Sequence, residues 1–133
     1  VEPAVDVVDH EFISWLEKWN LKLIYFDFDS FESEVNQEFI SGYKKYYEKY
    51  GISIELVGHT DSRGPKVYNY KLGKNRADWL KGQLINAEIG NEITTHSVGE
   101  TELVNKCKAG VICSEKEHWL NRFVQIKLST NQE

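Results

Sequence analysis

Apolar residues recur along this chain with two different periods, and the changes of period mark out its elements. Phe12, Ile13, Leu16 and Trp19 fall at helical spacing and predict a short amphipathic helix over 9–18, with Asp9 as its N-cap. Leu21 to Phe28 reads as a first strand. Val35, Phe39, Tyr43, Tyr46 and Tyr50 then return every three or four residues. They predict a long helix, capped by Ser30 or Ser33 and closed by Gly51, with a thick aromatic face whose hydroxyls reach the surface. A second strand covers Ser53 to Gly58. After a loop holding Asp61, Gly64 and Pro65, a second long helix starts near Tyr68. In it Asn69, Leu72, Arg76 and Leu80 are spaced 3, 4 and 4 and share one face. Ile93 to Val98 is a third strand, Glu115 to Arg122 a helical turn, and Phe123 to Leu128 alternates as a fourth strand. This order predicts an α/β sandwich with helices over one sheet face, and the order of strands in the sheet does not follow from it.

Length and composition narrow the function classes. At 133 residues the chain is one domain's worth of sequence, with room for a real core. A net charge of −5 argues against general nucleic-acid binding, which needs a basic patch to displace counterions. No apolar run is long enough to span a bilayer, and Val1-Glu2-Pro3 opens no signal peptide. Val1 to Asp6 is expected to be a disordered lead-in. Cys107 and Cys113 stand in a polar loop over 105–114; they are free thiols in a reducing compartment and close a small loop in an oxidising one.

The stretch from Ile54 to Leu84 carries the most specific signal. Gly58-His59-Thr60-Asp61, then Gly64, Asn69, Leu72, Gly73 and Arg76-Ala77 resembles the OmpA-like peptidoglycan-binding domain family, with Gly73 where that family usually has Ser. The spacing of 15 between Asp61 and Arg76 also fits. Weaker support comes from Asp27 and Asp29 after the first strand, from Gly99-Glu100, and from Asn121-Arg122, which matches part of an N-R-R motif whose second Arg is Phe123 here. The resemblance covers roughly Leu21 to Leu128. It implies an α/β two-layer sandwich, β-α-β-α-β-(loop or short helix)-β, with one mixed sheet. Residues 1–20 would be a lead-in and short helix, and 21–133 the binding domain. It also implies a disulfide between Cys107 and Cys113, because family members often carry a cysteine pair in this region.

The chemistry turns on Asp61 and Arg76. Arg76 lies between Leu72 and Leu80, so its guanidinium points toward the core, where an unpaired charge is costly; Asp61 is the obvious partner. A carboxylate and a guanidinium at one cleft suit a zwitterionic amino-acid centre, the carboxylate taking the ammonium and the Arg taking the carboxylate bidentately. The resemblance implies that this centre is the free end of diaminopimelate in a peptidoglycan stem peptide. Backbone N–H groups at the start of the second long helix would add donors. Asn69 would hydrogen-bond the ligand, Thr60 would orient the loop, and Leu72, Asp27, Asp29 and Arg122 complete the candidate set. Such a domain would sit in the periplasm, within a longer membrane-anchored chain attached to the outer membrane of a Gram-negative bacterium. The alternative is a protein-interaction or structural domain on the same fold, in which Asp61 and Arg76 form only an internal salt bridge.

No enzyme is implied. There is no G-x-S-x-G, and a noncovalent binder needs no nucleophile. No metal or other cofactor is expected either: no two histidines stand at i, i+4, and His59, Asp61, His96 and His118 would converge only if three segments met.

Overall fold

The computed structural model describes residues 9–34, 37–88 and 92–130. The first helix, α1, covers His10–Trp19, and the Asp9 side chain accepts from the Phe12 N–H at 2.9 Å. The first strand, β1, is only Leu23–Tyr25, shorter than its apolar run suggests. The second helix, α2, is described over Gln37–Tyr50. The remaining elements are β2 (Ser53–His59), α3 (Lys66–Asn86), β3 (Ile93–Gly99), α4 (Glu115–Trp119) and β4 (Phe123–Ser129). The expected lead-in over 1–6 and Val35 lie outside the described residues.

One four-stranded sheet runs β1-β4-β2-β3, with β2 and β3 parallel and the other pairs antiparallel. Register places Ile54 opposite Leu128, Leu56 opposite Ile126, and Gly58 opposite Val124. Side chains alternate across a strand, so these pairs share one face. There Ile54, Leu56, Val124, Ile126 and Leu128 join apolar residues of α1, α2 and α3 in one core. Glu55 and Lys127 face each other on the opposite, more solvated side. Helices α1, α2 and α3 thus form one layer and the sheet the other, while Trp119 of α4 stacks on Tyr25 of β1. Among the described residues no helix is long and apolar enough to cross a membrane.

The N-terminal helix is part of this core. Phe12 and Trp19 are buried as their spacing predicts, Ile13 stays exposed, and Trp15 is buried instead. Trp15 stacks on Phe39 with ring centroids 5.6 Å apart, and Phe12 stacks on Tyr50 at 3.9 Å. The tyrosine face of α2 differs from expectation at Tyr43. That side chain is fully buried and donates its hydroxyl to the Ile52 carbonyl at 3.0 Å; burial raises its pKa to about 12. Ser30 donates to the Glu32 carbonyl, and Ser33 to the Tyr25 carbonyl, so both fasten the loop after β1. The backbone at 35–36, where either was expected to cap α2, lies outside the described residues.

Two features of β2 position the loop that follows it. Opposite His59 the register of β3 shifts by one residue, leaving Val98 unpaired, and Thr60 N–H then donates to the Gly99 carbonyl at 2.9 Å. Such irregularities re-aim a chain at the end of a ladder. In addition, Gly58 on β2 meets Gly73 on α3 backbone to backbone. A Cβ on Gly73 would lie 2.4 Å from Ser97 Oγ and 2.9 Å from the Gly58 carbonyl oxygen. Glycine inside a helix costs about 1 kcal/mol relative to Ala, so it stands here because nothing larger fits. Gly73→Ser is therefore expected to destabilise the fold by roughly 1–3 kcal/mol of overpacking, more than the helix propensity it restores. Urea unfolding measures this, and an unchanged or raised stability would refute the close-approach account.

Candidate functional site

The loop between β2 and α3 lies over the end of the sheet and forms one side of a cleft of about 380 Å³. Phe28 and Asp29, from the loop after β1, line the cleft together with Arg122, just before β4. From the β2–α3 stretch come Thr60, Asp61, Arg63 and Tyr68, with Asn69, Leu72 and Arg76 behind them on α3. Of the residues singled out from sequence, only Asp27 among the candidate ligand groups is not in the lining. Its side chain is exposed, and its contribution is a backbone carbonyl.

Arg76 does not pair with Asp61. Its guanidinium is fully buried and donates to three backbone carbonyls: Ser30 at 2.7 Å through Nε, His59 at 2.9 Å through Nη1, and Asp27 at 3.2 Å through Nη2. The charge is desolvated but hydrogen-bonded, which is what makes its burial tolerable. Burial, reinforced by the nearby Arg122 charge and partly offset by Asp61, lowers its pKa to about 10, so it stays a cation at neutral pH. An arginine has five N–H donors, so these three carbonyls leave two unused, and Arg76 is among the residues that line the cleft.

Asp61 instead faces two other cations. Arg63 Nη2 lies 2.9 Å from its Oδ2, and Arg122 Nη1 lies 3.3 Å from the same oxygen. Its Oδ1 accepts from the Arg63 backbone N–H at 2.9 Å. Burial alone would raise the Asp61 pKa, but the Arg63 hydrogen bonds and charge, with help from Arg122, hold it below the ordinary carboxylate range. Arg122 is anchored by the Phe26 carbonyl at 3.0 Å. Sequence reasoning gave Arg63, Phe28, Tyr68 and Glu115 no weight. Arg63 bridges Asp61 and Glu115, with Nη1 2.7 Å from Glu115 Oε2, and its guanidinium sits 4.2 Å from the centre of the Phe28 ring. An arginine two residues after the key aspartate was the one signal available for it.

The remaining candidates mostly hold the loop in shape. Thr60 donates its hydroxyl to the Asp61 carbonyl at 2.9 Å. Asn69 is buried, and its amide N–H groups go to the carbonyls of Asp61 and Arg63 and to Glu100. They are taken internally and do not point free donors at a ligand. Asp29 has φ 58°, an uncommon conformation for a residue with a Cβ, and its carboxylate accepts from the Tyr68 hydroxyl across the cleft. Pro65 precedes α3 without a side-chain cap, and the first turn carries no acidic residue, so its leading amides remain available at the rim.

The cysteine loop is tied to this site. Cys107 and Cys113 form a disulfide, and Ser62 donates to the Cys107 carbonyl at 2.5 Å. Among the described residues the one group with metal-ligand proximity is Cys107, Cys113 and Glu117, whose sulfurs are bonded to each other. His59 and His118 are buried in different surroundings and His96 is exposed beside Glu55. His59 stacks on Phe123 at 4.2 Å, and burial lowers its pKa and keeps the ring neutral.

No protein-family model matches the chain. The peptidoglycan-associated lipoprotein of Buchnera aphidicola subsp. Baizongia pistaciae is 36% identical over 101 residues, covering 71% of this chain and 55% of that protein. Outer membrane porin F of Pseudomonas fluorescens is 41% identical over 61 residues, covering 44% of this chain and 19% of the porin. This chain thus spans about half, or less, of the length of these relatives. The crystal structure of the peptidoglycan-associated lipoprotein from Burkholderia pseudomallei superposes with TM-score 0.69 at 25% identity, over 81% of this chain and 90% of that one.

The Asp61 network predicts a defined pH response. Its folded pKa is depressed, so its contribution to stability is complete above the unfolded value near 3.9 and is lost as pH falls through the lower folded value. The stability difference between wild type and Asp61→Asn should therefore be largest near neutral pH and shrink by about pH 2. Urea melts of both proteins at the two pH values measure it, and a difference that stays constant or grows in acid would contradict the ion-paired assignment.

Proposed function

We propose, from the premise that this chain is an OmpA-like domain, that it binds peptidoglycan noncovalently through the diaminopimelate of the stem peptide. The domain then ties an outer-membrane protein or lipoprotein to the cell wall from the periplasmic side. The observation that carries this reading is the cleft itself. A buried guanidinium fixed by backbone carbonyls and a buried carboxylate are held on one strand-loop-helix, with both lining one open volume. Arg76 takes the ligand's carboxylate with the two N–H groups that the carbonyls leave unused, helped by the leading amides of α3. Asp61 takes the ammonium. Leu72 and Phe28 supply apolar contact for the methylene chain between the two ends of diaminopimelate. The task is recognition, and no covalent step is required of any residue.

The structural alternative gains one point from the geometry: Asp61 is already satisfied by Arg63 and Arg122. The two readings part in variants that still fold: Arg76 uses three nitrogens on three carbonyls, which a lysine cannot reproduce, so Arg76→Lys is read for binding where the melt shows the fold intact. Asp61→Ala and Arg76→Lys are each expected to weaken binding of a soluble diaminopimelate-containing stem peptide by about 2–5 kcal/mol, the usual cost of truncating one member of a desolvated charged contact. Titration calorimetry reads the affinity and a thermal melt reads the fold. Wild-type affinity in both folded variants would place the site elsewhere.

A further inference from the structure

Three guanidiniums line the cleft, and they are not held alike. Arg76 is fully buried on three carbonyls, and Arg122 is buried with its Nε on the Phe26 carbonyl. Arg63 is different. Its side chain is 31% exposed, and among the described residues its side-chain hydrogen bonds go to two carboxylates, Asp61 and Glu115, while its Nε has no partner there. Glu115 lies on the solvent side, 68% exposed, and accepts from both Arg63 Nη1 at 2.7 Å and Nη2 at 3.3 Å. Beneath the guanidinium lies the half-exposed ring of Phe28.

We infer that Arg63 is a built-in competitor for the ligand's ammonium at Asp61, and that Glu115 receives Arg63 when the ligand binds. The inference rests on the reading of the cleft given above. In the free protein one hydrogen bond, from Nη2 to Oδ2 at 2.9 Å, places the Arg63 side chain on the carboxylate that the ammonium needs. Breaking it leaves the Glu115 fork intact, so Arg63 can withdraw along the Phe28 face without becoming an unpaired ion. The incoming ammonium restores the charge balance at Asp61, whose second cation, Arg122, is fixed in place. Arg63 therefore sets affinity through the fraction of molecules in which Asp61 is open, because apparent affinity falls in proportion to that fraction. A low-exposure carboxylate is kept neutralised between binding events, and the site is selective for a ligand whose cation outcompetes a tethered guanidinium.

The test is titration calorimetry of a soluble stem peptide ending in meso-diaminopimelate against wild type, R63Q, E115Q and the double variant, with a thermal melt of each. R63Q is expected to bind about five- to tenfold tighter, because the open fraction rises toward one. E115Q should bind about two- to threefold more weakly, since Arg63 then has less reason to leave Asp61. In the double variant the Glu115 effect should shrink to what its 3.4 Å contact with Arg122 Nη1 contributes, leaving an affinity close to that of R63Q, a dependence that a merely structural Glu115 would not show. Arg63→Met serves as a second variant with the same expected direction if R63Q melts early. Equal or weaker binding by both Arg63 variants would overturn the inference, as would an undiminished Glu115 effect in the double variant. Failure of the underlying reading looks different: wild type and all variants would then bind nothing, and both proposals would fall together.

Discussion

A desolvated guanidinium sets the shape of this site. Arg76 sits on the inward stripe of α3, between Leu72 and Leu80, where a charge with no hydrogen bonds would be expensive. It is made tolerable by the carbonyls of Asp27, Ser30 and His59, which belong to the loop after β1 and to the end of β2. Three segments distant in sequence thus converge on one side chain. The Gly58–Gly73 approach brings α3 near enough to β2 for these bonds to form, and the irregular register at His59 turns the chain away from the sheet at the same place. Packing and polar satisfaction therefore act together: without the close backbone contact the guanidinium would not reach its acceptors.

Around that fixed cation the Asp61 loop is held by short-range bonds. Asn69 gathers the carbonyls of Asp61 and Arg63, Thr60 closes on the Asp61 carbonyl, and Ser62 connects the loop to the disulfide-closed segment at Cys107. The carboxylate itself is buried and paired with cations of unequal freedom. A rigid scaffold carrying one adjustable contact is a reasonable design for reversible attachment to a polymer. The fixed groups provide pre-organisation, and the adjustable one governs how readily the site opens.

Much of this was legible in the residue order because the relevant periods are local. The 3, 4 and 4 spacing of Asn69, Leu72, Arg76 and Leu80 identified the inward stripe of α3, and all four are buried. The resemblance of the Asp61 loop and α3 to OmpA-like domains rests on positions that fall, for the most part, within the single stretch Gly58 to Ala77. What could not be read depends on contacts distant in sequence. The pairing of Arg76 with Asp61 was inferred from spacing, but Arg63 and Arg122 reach that carboxylate and three carbonyls satisfy Arg76. Ser33 fastens the loop to the Tyr25 carbonyl, eight residues back, a contact that no local spacing marks. Trp15, three residues after Phe12 and four before Trp19, lies on their helical face and packs on Phe39. Ile13 stands about 100° off that face and stays exposed, so here the full i, i+3, i+4, i+7 pattern decides.

The proposal that everything else serves is that the wall peptide binds in the cleft between Phe28, Asp61 and Arg76. Nuclear magnetic resonance tests it without altering the protein. Free meso-diaminopimelate is added to isotope-labelled protein while the backbone amides and the arginine Nε–H groups are followed. The largest shifts are expected on residues 60–69, on Phe28 and Asp29, and on the Arg76 Nε–H, with α2 and the β3 edge unchanged. Saturable shifts centred on any other surface, with the Arg76 signal unmoved, would contradict it.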